Sequence, residues 1–315
     1  MTADTAAPAP LAPHKERLLW LVAIAFFLQS LDATILNTAL PAMARSLNQS
    51  PLKMQSVIVA YSLTTAMLIP ASGWLADRLG TKRVFGWAIA MFVLGSVLCA
   101  LSPSLNFLIA ARVVQGLGGA MMLPVGRLAV LRTHPKGDFI RAMSFIAIPG
   151  QIGALLGPTL GGWLVEVASW NWIFWINVPV GLLGIWASRR WMTDGAPIPP
   201  RRFDGLGYAL LSFGMVAISV ALDGMSGMGM GTAVVVVLMV FGLASLASYW
   251  MHALRVPEPL FPPVLFRVRS LRVGLLGNLF ARFGTGAAPF LIPLLLQVGL
   301  GLSPMHAGVM MLATV

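Results

Sequence analysis

The stretch SLDATILNTALP, residues 30–41, places Asp32 inside an apolar run that begins at Leu18. A full negative charge in a segment built to avoid water is costly unless it faces a partner or a wet interior. Its surroundings set the problem. The chain has 315 residues, of which 58% are hydrophobic and only 10% charged, against about 25% charged in soluble domains. The apolar residues fall in long blocks, each near the ~20 residues that an α-helix needs to cross a bilayer. The sequence therefore reads as an all-α polytopic membrane protein, with the bilayer as its first partner.

Working outward from Asp32, spans are expected near 18–40, 54–76, 84–102, 105–126, 142–164, 170–190, 205–223, 231–252 and 272–297. A tenth begins near Ser303 and stops at Val315. The net charge of +11 could suggest nucleic acid, but the basic residues form no single face. With the N-terminus inside, sixteen of the 21 Lys and Arg residues fall in internal segments and only Arg45 and Lys53 in external ones. That asymmetry orients the chain with a cytoplasmic N-terminus and needs no nucleic-acid partner. Cys99 is the only cysteine, so no intrachain disulfide can form. Residues 1–17 begin with an Ala/Pro-rich tract and are expected to be disordered in the cytoplasm. A cleavable signal over 15–44 is an alternative, with AMA as its cleavage site; the length of the apolar run and the immediate next span weigh against it.

Two embedded charges match in depth. Asp32 lies eight residues before the outer end of span 1, and Arg112 seven residues into span 4, about 12 Å and 10 Å deep at ~1.5 Å per residue. Opposite charges at one level on neighbouring helices can neutralise each other. Gln29 lies within a turn of Asp32, while Arg112, Gln115, Gly116 and Gly119 make a small, polar stripe suited to a bundle interior. Such a pair is either a structural bridge or a titratable site on a transport path. In the second case, moving the guanidinium, or admitting a cationic substrate, loads or releases a proton.

At this point a family resemblance enters. LDATILNTALP (31–41) resembles the span-1 motif of the fourteen-helix drug:proton antiporters of the major facilitator superfamily, the QacA/EmrB type. GWLADRLGTKR (73–83) is similar to the superfamily's loop motif, with Gly73, Asp77, Arg78, Gly80, Lys82 and Arg83 in register. RVVQGLGGA (112–120) resembles the span-4 motif led by an embedded arginine. GALLGPTLGG (153–162) resembles the antiporter motif of span 5, although Ser144 stands where a leading glycine is usual. WNWIFWINVPVG (170–181) has the look of the family's span 6. The order and placement of these stretches carry the resemblance better than any one alone.

The resemblance implies a major facilitator fold with nine complete transmembrane helices and a partial tenth, C-terminally truncated. It divides the chain into a six-helix bundle (18–190), a cytoplasmic linker (191–204), an inserted two-helix hairpin (205–252), a cytoplasmic loop (253–271) and the start of a second bundle (272–315). It also implies proton-coupled efflux of small amphipathic drugs across a bacterial inner membrane, with Asp32 and Arg112 as the coupling and substrate site. Asp77 would latch two halves together, with its partner helix beyond Val315. Gly153, Gly157 and Gly161 recur every four residues and, with Gly162, clear a face for close contact, either for gating or for ordinary packing. Pro158 favours a bend there.

Further cavity candidates are Asn37, Gln151, Asn177, Gln297 and Arg282, the last an embedded cation able to bind an anionic substrate or pair with another helix. Export of a defined metabolite such as an organic acid is the nearest alternative, and an inactive truncated fragment another. An enzyme is not expected. The four histidines lie in loops or at span ends, and no HExxH or G-x-S-x-G motif occurs. No metal or cofactor is called for; accessory efflux proteins are left open.

Overall fold

Long apolar blocks that must satisfy every backbone group internally become helices. The computed structural model describes residues 13–134, 137–193, 202–225, 230–285, 291–292 and 294–311. Among these there are no strands. The helices are α1 (Pro13–Ser46), α2 (Gln55–Leu79), α3 (Thr81–Ala100), α4 (Leu105–Thr133), α5 (Phe139–Val167), α6 (Trp172–Trp175), α7 (Asn177–Trp191), α8 (Gly205–Met225), α9 (Thr232–Ala253), α10 (Arg269–Thr285) and α11 (Pro304–Met311). Seven of them, α1 to α5, α8 and α9, are long and apolar enough to cross a membrane.

The differences from the expected spans have local causes. Residues 13–17 are helical rather than disordered, because α1 continues for a turn beyond its apolar stretch. Pro13 suits a first helical position, and Glu16 lies in the first turn, where negative charge is favoured. Residues 1–12 lie outside the described residues. The sixth expected span is divided at Ile176 into α6 and α7. Pro179 lacks the N–H that would bond the Trp175 carbonyl, so the hydrogen-bond ladder breaks while Ile176 keeps helical angles. Of the ninth expected span, Arg269–Thr285 is helical, whereas 286–290 lie outside the described residues. Most of the expected linker, 194–201, also lies outside them.

Helix ends follow turn chemistry. Ser104 caps α4 by accepting a hydrogen bond from the Phe107 N–H at 3.4 Å. Gly80 alone connects α2 to α3, at φ 88° and ψ 143°, a conformation that a side chain would strain.

Packing brings α5 against α1, α4 against both α2 and α3, and α7 against α3. One apolar core gathers Val22, Phe85, Ile89, Phe92 and Met122 from α1, α3 and α4; a second gathers Ile35, Met43, Val57, Leu108 and Phe174. Between these cores lies the polar cluster described next. The α8–α9 pair packs on α2, and α11 packs on α5 and α1. Met305 N donates to Glu166 Oε1 at 3.0 Å, at the far end of α5.

Candidate functional site

Four helices and the head of α7 converge on Asp32. Its side chain is 1% exposed, as is that of Arg112. Arg112 Nη1 donates to Asp32 Oδ2 at 2.8 Å and to Gln115 Oε1 at 2.6 Å. Gln115 Nε2 donates to Asp32 Oδ1 at 2.8 Å and to Ser96 Oγ at 2.9 Å. Asn177 Nδ2 donates to the same two oxygens, at 2.9 and 3.3 Å. The Arg112 Nε reaches the Val57 carbonyl of α2 at 3.4 Å.

This geometry answers the charge in the apolar run. Both carboxylate oxygens accept N–H bonds, and the guanidinium returns a full positive charge, so desolvation is offset by pairing and hydrogen bonding together. The Arg112 guanidinium carbon also lies 4.3 Å from the Tyr61 ring centroid and 5.9 Å from that of Phe174, within cation–π range. Its flat face is therefore covered by aromatic carbon while its edge holds the carboxylate. The arrangement is a fully buried ion pair whose two charges compensate each other, so separating Arg112 from Asp32 would strand a charge in an apolar interior.

The other candidates divide. Gln115 and Asn177 join the cluster, while Gln29 Nε2 binds the Gly119 carbonyl of α4 at 3.0 Å, a turn away. Asn37 is half-buried and takes no part in the cluster's bonds. Gln151 is exposed on α5. Gln297 Nε2 reaches the Thr38 carbonyl at 3.4 Å. Arg282 lies on α10, but its side chain is outside the described residues. Ser96, Tyr61 and Cys99, whose thiol lies 3.7 Å from Gln115 Oε1, were not singled out from the sequence. Each is a small or neutral group in an apolar run, so no charge anomaly marks it.

In the loop motif, Asp77 Oδ1 accepts a hydrogen bond from Arg132 Nη2 at the end of α4. Both side chains are 23% exposed. Arg78 stacks over Trp74 at 5.3 Å, and Gly73 has open space where a Cβ would go. In the antiporter motif, Gly153, Gly157 and Gly161 face α1: a Cβ at any of them would meet the α1 backbone or the Thr34 and Thr38 hydroxyls. Gly162 and Pro158 are buried in the same helix, which continues unbroken past Pro158.

Comparison with known proteins agrees with this fold. A putative multidrug resistance protein MdtD of Serratia proteamaculans (strain 568) is 54% identical over 294 residues, covering 93% of this chain and 61% of that protein. The protein of the same description from Pectobacterium carotovorum subsp. carotovorum (strain PC1) is 52% identical over 298 residues, covering 94% and 64%. The chain thus spans somewhat under two thirds of the length of these relatives. Among solved structures, the POT family transporter PepTSo superposes with a TM-score of 0.55 at 15% identity, covering 77% of this chain and 54% of that one. A D-xylose-proton symporter gives 0.51 at 13% identity, covering 76% and 68%. At such identities these structures speak to the fold alone. The Major Facilitator Superfamily model matches residues 22–315, and the chain belongs to that superfamily.

Proposed function

We propose that this chain serves a secondary transporter that exports small amphipathic compounds in exchange for protons, with Asp32 as the proton-binding group and Arg112 as the cation that controls it. The observation that carries this reading is the Asp32–Arg112 pair, 2.8 Å apart and 1% exposed, at the meeting point of α1, α2, α3, α4 and α7. A titratable group held by side chains from several helices ties its proton state to how those helices sit. The relatives, described as putative multidrug resistance proteins, support the substrate class.

In this reading α1–α7 form one half, α8 and α9 an inserted hairpin, and α10 and α11 open the second half. The N-terminus is cytoplasmic, which the basic residues of the loops support, and the membrane is the bacterial inner membrane. Gly153, Gly157 and Gly161 let α1 and α5 slide as a close-packed pair during alternating access. The test is substrate-induced proton release from purified protein, wild type against Asp32→Asn, across a panel of amphipathic cations and organic acids. Release by the wild type alone supports the reading. Equal release by both proteins overturns the role given to Asp32, and release with organic acids only moves the substrate class.

A further inference from the structure

Next to the Asp32–Arg112 pair lies a group of polar side chains that the ion pair does not use. Tyr61 of α2 is 7% exposed, and its ring lies 4.3 Å from the Arg112 guanidinium carbon. Its hydroxyl stands at Gly119 of α4, where any Cβ would collide with it. Gln29 Nε2 of α1 donates to the Gly119 carbonyl at 3.0 Å, which leaves Gln29 Oε1 free of that bond. The side chains of Gln29 and Thr65 are both within hydrogen-bonding reach of the Tyr61 hydroxyl. Yet Gln29 Oε1, Tyr61 Oη and Thr65 Oγ1 are each buried without an aligned partner among the described residues.

Thr65 is set apart by its neighbours. Thr34, Thr38, Thr64 and Thr133 each donate to a helix carbonyl three or four residues back, the usual refuge of a threonine in a helix. The Thr65 hydroxyl makes no such bond among the described residues. Three buried polar atoms left unmatched are costly. One water reaches all three: it accepts from the Tyr61 and Thr65 hydroxyls and donates to Gln29 Oε1. Its second O–H stays free for a further partner.

Three helices put this group on the inner side of the ion pair. α1 runs outward from the cytoplasmic N-terminus, and Gln29 comes one turn before Asp32 on the same face. α2 and α4 run inward; Thr65 follows Tyr61 by one turn, and Gly119 follows Arg112 by two.

We propose that Gln29, Tyr61 and Thr65 hold a water that passes protons between Asp32 and the cytoplasm. This rests on the proton-exchange reading of Asp32. The carboxyl O–H of Asp32 breaks as its proton joins the water, and another of the water's protons departs on the inner side. The water and both hydroxyls end as they began. Tyr61 is a positioning residue, with its ring on Arg112 and its hydroxyl on the water. A metal cation is disfavoured at the same three oxygens, because the Arg112 charge already lies against the tyrosine ring.

Radiolytic hydroxyl-radical footprinting of the purified protein, read by mass spectrometry, tests the water without reference to transport. The radicals arise from water, so a buried ring is oxidised only where water sits beside it. Tyr61 should be oxidised far faster than Phe92, which is 0% exposed in the apolar core. Thr65→Val keeps the side-chain shape without the hydroxyl and should slow Tyr61 oxidation about fivefold. Ser62→Ala, at an exposed position on the same helix, should leave it unchanged. Tyr61 oxidised no faster than Phe92 overturns the water site, and this comparison decides the matter if Thr65→Val fails to fold. Substrate-induced proton release tests the route. Tyr61→Phe keeps the ring on Arg112 and should release as many protons as the wild type, about tenfold more slowly. A purely structural role would reduce the amount released and leave its rate. Release by Tyr61→Phe at the wild-type rate, with none from Asp32→Asn, overturns the route alone. Full release by Asp32→Asn overturns the reading of Asp32, and the route with it.

Discussion

Asn177 Nδ2 lies 2.9 Å from Asp32 Oδ1, joining residues 145 positions apart. The contact exists because α7 starts afresh after Ile176, which sets Asn177 in its opening turn, fully buried and turned towards α1. The first helix of the bundle and its last are thus fastened through one carboxylate oxygen.

Removing individual members of that cluster should rank by charge. Asn177→Ala deletes one hydrogen bond to an ionised group and is expected to destabilise by about 1.5–3 kcal/mol. Arg112→Met leaves Asp32 buried without its cation, a loss of about 3–5 kcal/mol. The double variant Asp32→Leu/Arg112→Met should recover most of that loss, because neither charge is then stranded. Thermal unfolding in detergent micelles reads all three. A double variant less stable than Arg112→Met would show that the pair is not electrostatically coupled as its geometry indicates.

Gly157 and Gly73 offer a paired test of motif glycines. A Cβ at Gly157 would collide with Thr34 Oγ1 and come within 2.9 Å of the Ile35 amide nitrogen, so Gly157→Ala must push α5 away from α1. The expected loss is about 1–3 kcal/mol, as for overpacked cores. Gly73 has nothing within 4 Å of the same position, and Gly73→Ala should stay within about 0.5 kcal/mol of wild type. Comparable losses in both variants would contradict the packing described for α5.

The Asp77–Arg132 ion pair joins the ends of α2 and α4 at partly exposed positions. Its contribution to stability should be modest, about 0.2–1 kcal/mol. The swapped variant Asp77→Arg/Arg132→Asp should unfold within that margin of wild type, while each single change places like charges side by side. If the swap performs no better than the single variants in thermal unfolding, Asp77 answers to something other than Arg132.

Part of this organisation is legible in residue order alone. Asp32 and Arg112 stand out because each is a full charge in an apolar run, and their distances from the helix ends place them at one level. The superfamily could be named because its motifs come in sequence and at the correct loops, and the match over residues 22–315 shows it. Neutral partners are another matter. Ser96 and Tyr61 fit an apolar helix without cost to its hydropathy, and only packing reveals that they face Arg112 or its hydrogen-bonded neighbours. Gln151 and Asn37 show the limit from the other side: a polar side chain within a span does not specify its azimuth, and neither takes part in the bonds around Asp32. The break at Ile176 was hidden because Pro179 is tolerated near a helix start, and spacing could not tell a continuing helix from a new one.

The single residue between α2 and α3 has a mechanical consequence. Gly80 leaves no slack at that elbow, and its positive φ bars side chains that could cushion it. The end of α2 is therefore tied to the start of α3 through one residue, which keeps Asp77 and Lys82 five positions apart on adjoining helix ends.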